Sequence, residues 1–327
     1  MKIVYLYPKS TFSRIYDSDF LFGITLTVLK YLKGDDYTNS LVRQFENGEP
    51  PFIFSNCFLF SYDGVESESN KTIEKVVKDH FLPKPINFSK SENFENIKEY
   101  GKLKDYKKQK YINLNKFKDL INGKISSNDL FNEFIIEHEF KKPPIIKLNS
   151  NPHVQINRLT NASEEGHFYF TDDYSIEKGG LFFLFTGDFE IVKPAFNFLN
   201  HFGLGSDAAT GKGQFEYQYA DIDIPEPNDA NAIINLSCYY PSKSELNFYK
   251  ENTNNLAYEI ESKQGKIYSN NYKWNLYKKN TISYFAPGSV FPIIPEHCHY
   301  GCVKEVALVD ETSIKFNGYS LKLKIKI

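Results

Sequence analysis

Gly203-Leu204-Gly205-Ser206-Asp207-Ala208-Ala209-Thr210-Gly211-Lys212-Gly213-Gln214-Phe215 is the stretch on which the reading of this chain turns. Its glycines carry no side-chain bulk and permit positive φ, so successive backbone N–H groups can turn toward an anion. Lys212 adds a positive charge among them. A phosphate is the natural ligand for such a loop. It is not a nucleotide P-loop, which needs about four residues between its first Gly and a Gly-Lys followed by Ser or Thr. Here five residues separate Gly205 from Gly211, and Gly213 follows Lys212. The context is reversed too, because this loop follows a helix and precedes a strand. A dinucleotide fingerprint is also excluded, since the third glycine is misplaced. The plain structural alternative is a long hairpin-like loop that binds nothing.

Working outward, the helix before the loop starts at Gly187-Asp188 and carries Ile191, Ala195, Leu199 and Phe202 on one face, and Pro194 is tolerated there if it falls in the first turn. Phe215, Tyr217 and Tyr219 alternate in the strand after it. Upstream, His167–Phe170 and Leu181–Phe185 read as two strands joined through Gly179-Gly180. The first half of the chain shows a similar order. Residues 2–7 read as a strand. A helix capped by Ser18 or Asp19 follows, with Leu21, Thr25, Val28, Leu29 and Leu32 on one face and Gly34 as its stop. A shorter helix ends at Asn47-Gly48, and Phe52 to Phe60 reads as strand again. Two β-α-β units in tandem give an α+β class with two ferredoxin-like (RRM-like) domains. Their expected bounds are 1–150, with a basic excursion over 88–150, and 151–327, with the glycine-rich loop at 203–213. The tail from Tyr319 to Ile327 alternates apolar and polar residues and reads as a closing strand.

A formal net charge of −2 argues against a free-standing basic nucleic-acid binder. Any RNA contact must therefore be local. From Gly101 to Lys124 there are eight lysines against two aspartates, and Lys141-Lys142 extends the basic character; the ordinary reading of such a run is a solvated face. Cys57, Cys238, Cys298 and Cys302 are too few for a disulfide scaffold in 327 residues. The chain shows no signal peptide and no apolar run near the ~20 residues that a membrane span takes, so a reduced cytoplasmic protein is expected. His297-Cys298-His299-Tyr300-Gly301-Cys302 has zinc-ligand residue types, but adjacent ligands on one loop rarely close a tetrahedron, and no Cys-x-x-Cys partner exists. No metal is assigned, and no Ser-His-Asp or Cys-His set is readable.

The helix, the glycine-rich loop with its embedded lysine and the aromatic strand resemble the RAMP superfamily of CRISPR proteins. Further segments are similar to the subunit that caps the guide's 5′ end in type III-A (Csm) complexes: Ser18-Asp19-Phe20-Leu21-Phe22-Gly23, Pro51-Phe52-Ile53-Phe54-Ser55-Asn56, Phe81-Leu82-Pro83-Lys84-Pro85, His153-Val154-Gln155-Ile156-Asn157-Arg158-Leu159-Thr160 and Gly288-Ser289-Val290-Phe291. They run in order over nearly the whole chain. The resemblance implies a non-catalytic RNA-binding subunit of an antiviral ribonucleoprotein, with no cofactor. Its implied partners are the 5′ tag of crRNA, the large polymerase-like signalling subunit, a RAMP backbone subunit and, indirectly, target RNA. A thumb-like hairpin would interrupt guide–target pairing. The positions expected at RNA are Ser18, Lys84, His153, Asn157, Arg158, Gly203, Gly205, Gly211, Lys212, Gly213, Gly288 and Ser289. Arg158 suits phosphate through its planar fork; His153 and Asn157 suit a base edge or 2′-hydroxyl. The region from His153 to Thr160 is expected to be an extended loop. The alternative is a guide-processing endoribonuclease of the same fold. In that enzyme the glycine loop usually sits nearer the C-terminus and a histidine comes early, whereas here the first histidine is His80.

Overall fold

In the computed structural model, which describes residues 1–66, 73–86, 104–106, 108–135, 141–267 and 277–327, the apolar run after Met1 forms strand β1 (Lys2–Pro8). Ile3, Val4, Leu6 and Tyr7 are all buried, so both faces of β1 are covered. Helix α1 (Ser18–Lys33) follows. Its cap is Asp17 rather than Ser18 or Asp19. Asp17 holds the extended backbone a cap requires, at φ −94° and ψ 166°, and its carboxylate accepts the Phe20 N–H at 2.8 Å. Ser18 and Asp19 instead turn inward and are buried. Helix α2 (Asp35–Glu46) completes the first helical layer.

Strands β2 (Phe52–Phe54), β3 (Phe58–Glu66), β4 (Ile73–Pro83) and β5 (Tyr111–Asn113) come next, then helices α3 (Leu114–Ile121) and α4 (Ser127–Ile135). Strands β6 (Ile146–Asn157), β7 (Ala162–Ile176) and β8 (Gly179–Gly187), helix α5 (Phe189–Phe202) and strand β9 (Phe215–Asp221) follow. The main sheet has the order β5-β4-β3-β8-β1-β9, with β2 also paired to β8, and its ladders are antiparallel. The two β-α-β units therefore do not build two sheets. β8 lies beside β1, pairing Lys2 with Phe185 and Leu6 with Leu181, and β9 flanks β1 on its other side. The reason lies in Leu181–Phe185: every residue of it is buried, and a strand buried on both faces belongs in the middle of a sheet. Local pattern marks such a strand but does not say which strand it joins.

The expected boundary at 150/151 would cut β6, and β6 pairs along its length with β7. These two form a separate hairpin rather than strands of the main sheet. Parts of the basic excursion, 88–103, 107 and 136–140, lie outside the described residues. The part described is no outlying arm. β5 extends the sheet, and Phe117, Leu120, Ile121 and Leu130 are buried. Leu120 and Ile121 lie three and four residues after Phe117, which puts the three on one face of α3, while Leu130 is on α4. The lysines stay on the outer face, and several are paired: Lys116 with Glu133, Lys124 with Asp119 and Lys141 with Asp79. Pro194 sits beyond the first turn of α5. The carbonyl it leaves unpaired is that of Glu190, which is exposed and open to water.

The C-terminal part holds β10 (Ala232–Asn235), α6 (Lys243–Glu251), β11 (Ile260–Lys263), β12 (Ile282–Phe285), β13 (Val290–Pro292), β14 (Val303–Val309), β15 (Thr312–Asn317) and β16 (Lys322–Ile325). A three-stranded sheet runs β13-β10-β16, so the tail does close a sheet, against β10. The C-terminal part is tied to β2, α1 and α2 by three bonds. Ser237 Oγ donates to the Phe54 carbonyl at 2.7 Å, Cys238 N–H donates to Ser18 Oγ at 2.9 Å, and Tyr319 Oη donates to the Phe45 carbonyl at 2.7 Å. Among the described residues no helix is long and apolar enough to cross a membrane.

His80 on β4 is held against Tyr5, with Nε2 2.8 Å from the phenol oxygen. Burial drives its pKa down to about 4, Lys118 adding to the effect and Asp79 opposing it. Unfolded, the ring titrates near 6.5. The unfolded chain therefore binds more protons between those values, and stability is lost as pH falls through that window. At ~1.4 kcal/mol per unit, discounted for partial exposure, the loss is expected to reach about 2 kcal/mol. Thermal melts from pH 7 to pH 4 should show it, and His80→Phe should flatten that part of the profile.

Candidate nucleic-acid interface

The glycine-rich loop is a closed structure rather than a floppy hairpin. α5 ends where Gly203, at φ +96°, donates its N–H to the Leu199 carbonyl at 2.7 Å. The neck is then tied twice: Leu204 N–H donates to Gly213 O at 2.9 Å, and Gly213 N–H donates to Thr11 O at 2.7 Å. Leu204 is fully buried and its carbonyl accepts Tyr16 Oη at 2.7 Å. Beyond the neck, the tip turns through Asp207 (φ +63°), a single 3-10 turn over Ala208–Thr210 and Gly211 (φ +91°). Gly203, Gly205, Gly211 and Gly213 all have positive φ, as read from the sequence. Among the described residues, the N–H groups of 206–209 have no acceptor, so the exposed tip presents a short row of free donors. Such a row suits an anion.

Lys212 does not reach into this tip. Its ammonium pairs with Asp173 on β7 at 3.0 Å, and the two side chains are 20% and 5% exposed. Asp173 also accepts from Asn151 Nδ2 at 2.8 Å and Asn149 Nδ2 at 3.1 Å. Burial alone would raise its pKa; the hydrogen bonds from Lys212, Asn149 and Thr11, with the lysine's charge, outweigh that and lower it. The expected role of Lys212 as a free cation is thus replaced by an internal ion pair. Sequence could not show this, because the partner lies on a different strand.

His153, Asn157 and Arg158 belong to the β6–β7 hairpin, not to a loop. The alternation of β6 had a signal that went unread: Asn149, Asn151 and His153 recur at every second position. Their side chains reach, respectively, Asp173, Asp173 and Thr171, the last at 2.8 Å from His153 Nε2. The His153 ring stacks on Tyr169 at 5.3 Å and 12°. Asn157 Oδ1 is taken by the N–H groups of Leu159 and Thr160 at 2.9 and 3.4 Å, which shape the turn. Arg158 is exposed at that turn and has no ion-pair partner among the described residues. The other hairpin face bears Leu148, Val154, Phe168 and Phe170, each between 48% and 61% exposed.

The remaining positions gather elsewhere, around a cleft of about 710 Å³ between the two sheets, lined by Asp17, Asn56, Lys84, Lys108, Lys110 and Pro287 among others. Segments expected from distant parts of the sequence meet here. Gly288, at φ +92°, would place a Cβ 2.7 Å from the Lys84 carbonyl, and Ile86 N–H donates to the Gly288 carbonyl at 2.9 Å. Lys84 Nζ donates to Tyr106 O at 2.8 Å and lies 3.6 Å from the centroid of that ring. Ser18 and Ser289 are buried and cannot meet RNA directly. Ser18 N–H donates to Asn56 Oδ1 at 2.9 Å, and Ser289 Oγ donates to the Ala286 carbonyl at 2.7 Å. They hold the walls of the cleft. Lys108 and Lys110 on its rim were visible only as part of a charge run.

The His297–Cys302 loop is organised around Glu245, which is buried and serves as the third residue of the α6 capping box. Its Oε1 lies 3.1 Å from His297 Nε2 and accepts the Gly301 N–H at 2.9 Å. No group of three or more metal-binding side chains occurs among the described residues.

Comparison with known proteins agrees with this geometry. Residues 228–321 match the family model of the CRISPR Csm4 C-terminal domain. The chain is 25% identical over 248 residues to the "CRISPR system Cms protein Csm4" of Thermococcus onnurineus (strain NA1), covering 74% of this chain and 76% of that protein. It superposes on a chain of the crystal structure of a Csm1–Csm4 cassette in complex with pppApA, with a TM-score of 0.62, 19% identity and coverage of 100% and 98%. A chain of the Csm3–Csm4 subcomplex of the type III-A CRISPR-Cas interference complex matches with a TM-score of 0.62, 18% identity and full coverage of both. The resemblance to type III-A Csm RAMP proteins read from the sequence is borne out by these similarities, in sequence over three quarters of the chain and in fold over all of it. Within that class, the C-terminal family model and the archaeal relative both point to Csm4.

Proposed function

We propose that this chain is a non-catalytic RNA-binding subunit of a Csm interference complex that seats the 5′ repeat-derived tag of the guide. The observation that carries the reading is the glycine-rich loop, with its tied neck and its tip of free N–H donors. In this reading the large polymerase-like subunit and a RAMP backbone subunit dock on the chain, in line with the assemblies in which its structural relatives were crystallised. The C-terminal sheet β13-β10-β16 with α6 is the second, reduced RRM-like unit. The first is the split β-α-β-β-α-β arrangement of β1, α1, β3, β8, α5 and β9. The β6–β7 hairpin is the thumb, and Arg158 at its turn meets a phosphate.

Copurified RNA tests the reading: a discrete species sharing one repeat-derived 5′ end supports it, and random fragments or none refute it. Arg158→Ala is expected to weaken guide binding about tenfold, the value of a charge-assisted hydrogen bond of ~1.5 kcal/mol or more. It should lower the slope of log affinity against log salt by about 0.7 for a single strand. Its melting temperature should not move, because among the described residues the side chain carries no ion pair. Unchanged binding across a salt series would remove Arg158 from the interface.

A further inference from the structure

The hairpin and the glycine-rich loop meet at one carboxylate. Asp173 is 3% exposed, and Lys212, Asn149, Asn151 and Thr11 all bond to it. A carboxylate offers about four lone-pair positions, so Asp173 has none left for an RNA group. Its partners come from three segments: the connection after β1, the glycine-rich loop and the base of the hairpin. Among the described residues that hairpin pairs with no other strand. Its nearest backbone tie is the bridge between Phe12 and Tyr174, with N–H to O distances of 2.9 and 2.7 Å. A single bridge fixes a point but not a direction. We propose that Asp173 is a positioning residue: through Lys212 it locks the root of the hairpin to the glycine-rich loop, so that the direction of the hairpin and the place of the loop are set together.

The lever is long. The hairpin turn lies eight residues beyond Asn149 along β6, which at ~3.4 Å per residue is about 27 Å. A swing of roughly 15° at the root therefore moves the turn by about 7 Å, enough to displace Arg158 from its phosphate. The inference rests on the guide-binding reading for its purpose but not for its geometry.

Spin labels at Leu159→Cys, 94% exposed at the turn, and Tyr31→Cys, 72% exposed on α1, report the direction. Cys298 and Cys302 are changed to Ser in this background because both reach the surface, while Cys57 and Cys238 are buried. The unmodified Asp173–Lys212 pair should give one narrow distance. Asp173→Asn and Lys212→Met should each lose it, the double variant should be no broader than either, and Lys212→Arg should restore it. A narrow distance in both single variants overturns the proposal, as does a double variant much broader than either single one. In parallel, a photocrosslinker at Leu159 in the full chain with tag RNA should mark one nucleotide, and several in Asp173→Asn. If the chain with Asp173 and Lys212 intact crosslinks no RNA, the guide-binding reading fails, while the distance measurement still decides the positioning role.

Discussion

Gly213→Ala is expected to be among the most damaging single substitutions in the N-terminal sheet region. A Cβ at this position would lie 1.9 Å from the Leu204 carbonyl oxygen and 3.0 Å from the Leu204 nitrogen, at φ +69°. Both atoms are backbone, and Leu204 is buried with its carbonyl held by Tyr16, so nothing in the neck can give way cheaply. Relief requires breaking the Leu204–Gly213 bond and the Gly213–Thr11 bond together. The expected cost is ~4 kcal/mol, at the upper end for one substitution. Gly211→Ala is the matched control. Its φ is +91°, but a Cβ there meets nothing within 4 Å, so only the left-handed backbone is penalised, by about 1–2 kcal/mol in an exposed tip. Chemical denaturation of both variants decides the matter. Equal losses would mean that the neck is not held as described. Gly213→Ala should also abolish guide binding at temperatures where the rest of the chain stays folded.

Lys263→Met should cost nearly as much. Its ammonium lies 2.9 Å from Asp17 Oδ1 and 2.8 Å from Asp19 Oδ2, with the three side chains between 10% and 27% exposed. The cluster joins the start of α1 to β11, and Asp19 also accepts the Asn317 N–H at 2.8 Å. Burial alone would lower the pKa of the lysine; the charges of Asp17 and Asp19 outweigh that and hold it well above the usual range. Removing the lysine leaves two carboxylates facing each other without a cation. Breaking a buried pair from one side costs about 3–5 kcal/mol, most of it from the charge left behind. Asp17→Asn added to the same chain should recover part of the loss, because asparagine still caps the helix while one of the opposed charges disappears. If Lys263→Met melts like the parent, or if Asp17→Asn deepens the loss, the cluster does not hold the start of α1 to β11.

Some elements were legible from local chemistry. The strand at 2–8, the helices ending at Gly34 and Gly203, the positive φ of the loop glycines and the closing strand of the tail follow from periodicity and from where glycine is needed. The region 153–160 was not: Pro152 and the polar residues around it read as loop. The hairpin accommodates Pro152 because it sits on an isolated two-stranded ribbon, where a missing N–H has little consequence. The pairing of the two β-α-β units in one sheet was illegible for a different reason, since β3, β8, β1 and β9 come together from across some 220 residues.

By itself, then, the sequence determined where glycine lets the chain turn left-handed, at Gly34 and in the loop from Gly203 to Gly213, and where the first strand and the closing strand of the tail lie. These depend only on neighbours within a turn or two of chain. The tertiary structure alone decided that both β-α-β units share one sheet, that Lys212 is neutralised by Asp173, that Ser18 and Ser289 are walls rather than ligands, and that Lys84 and Gly288 meet at one cleft. Each of these depends on a partner far away in the chain. Charge pairing and burial are properties of distance in space, and composition and spacing carry no record of it.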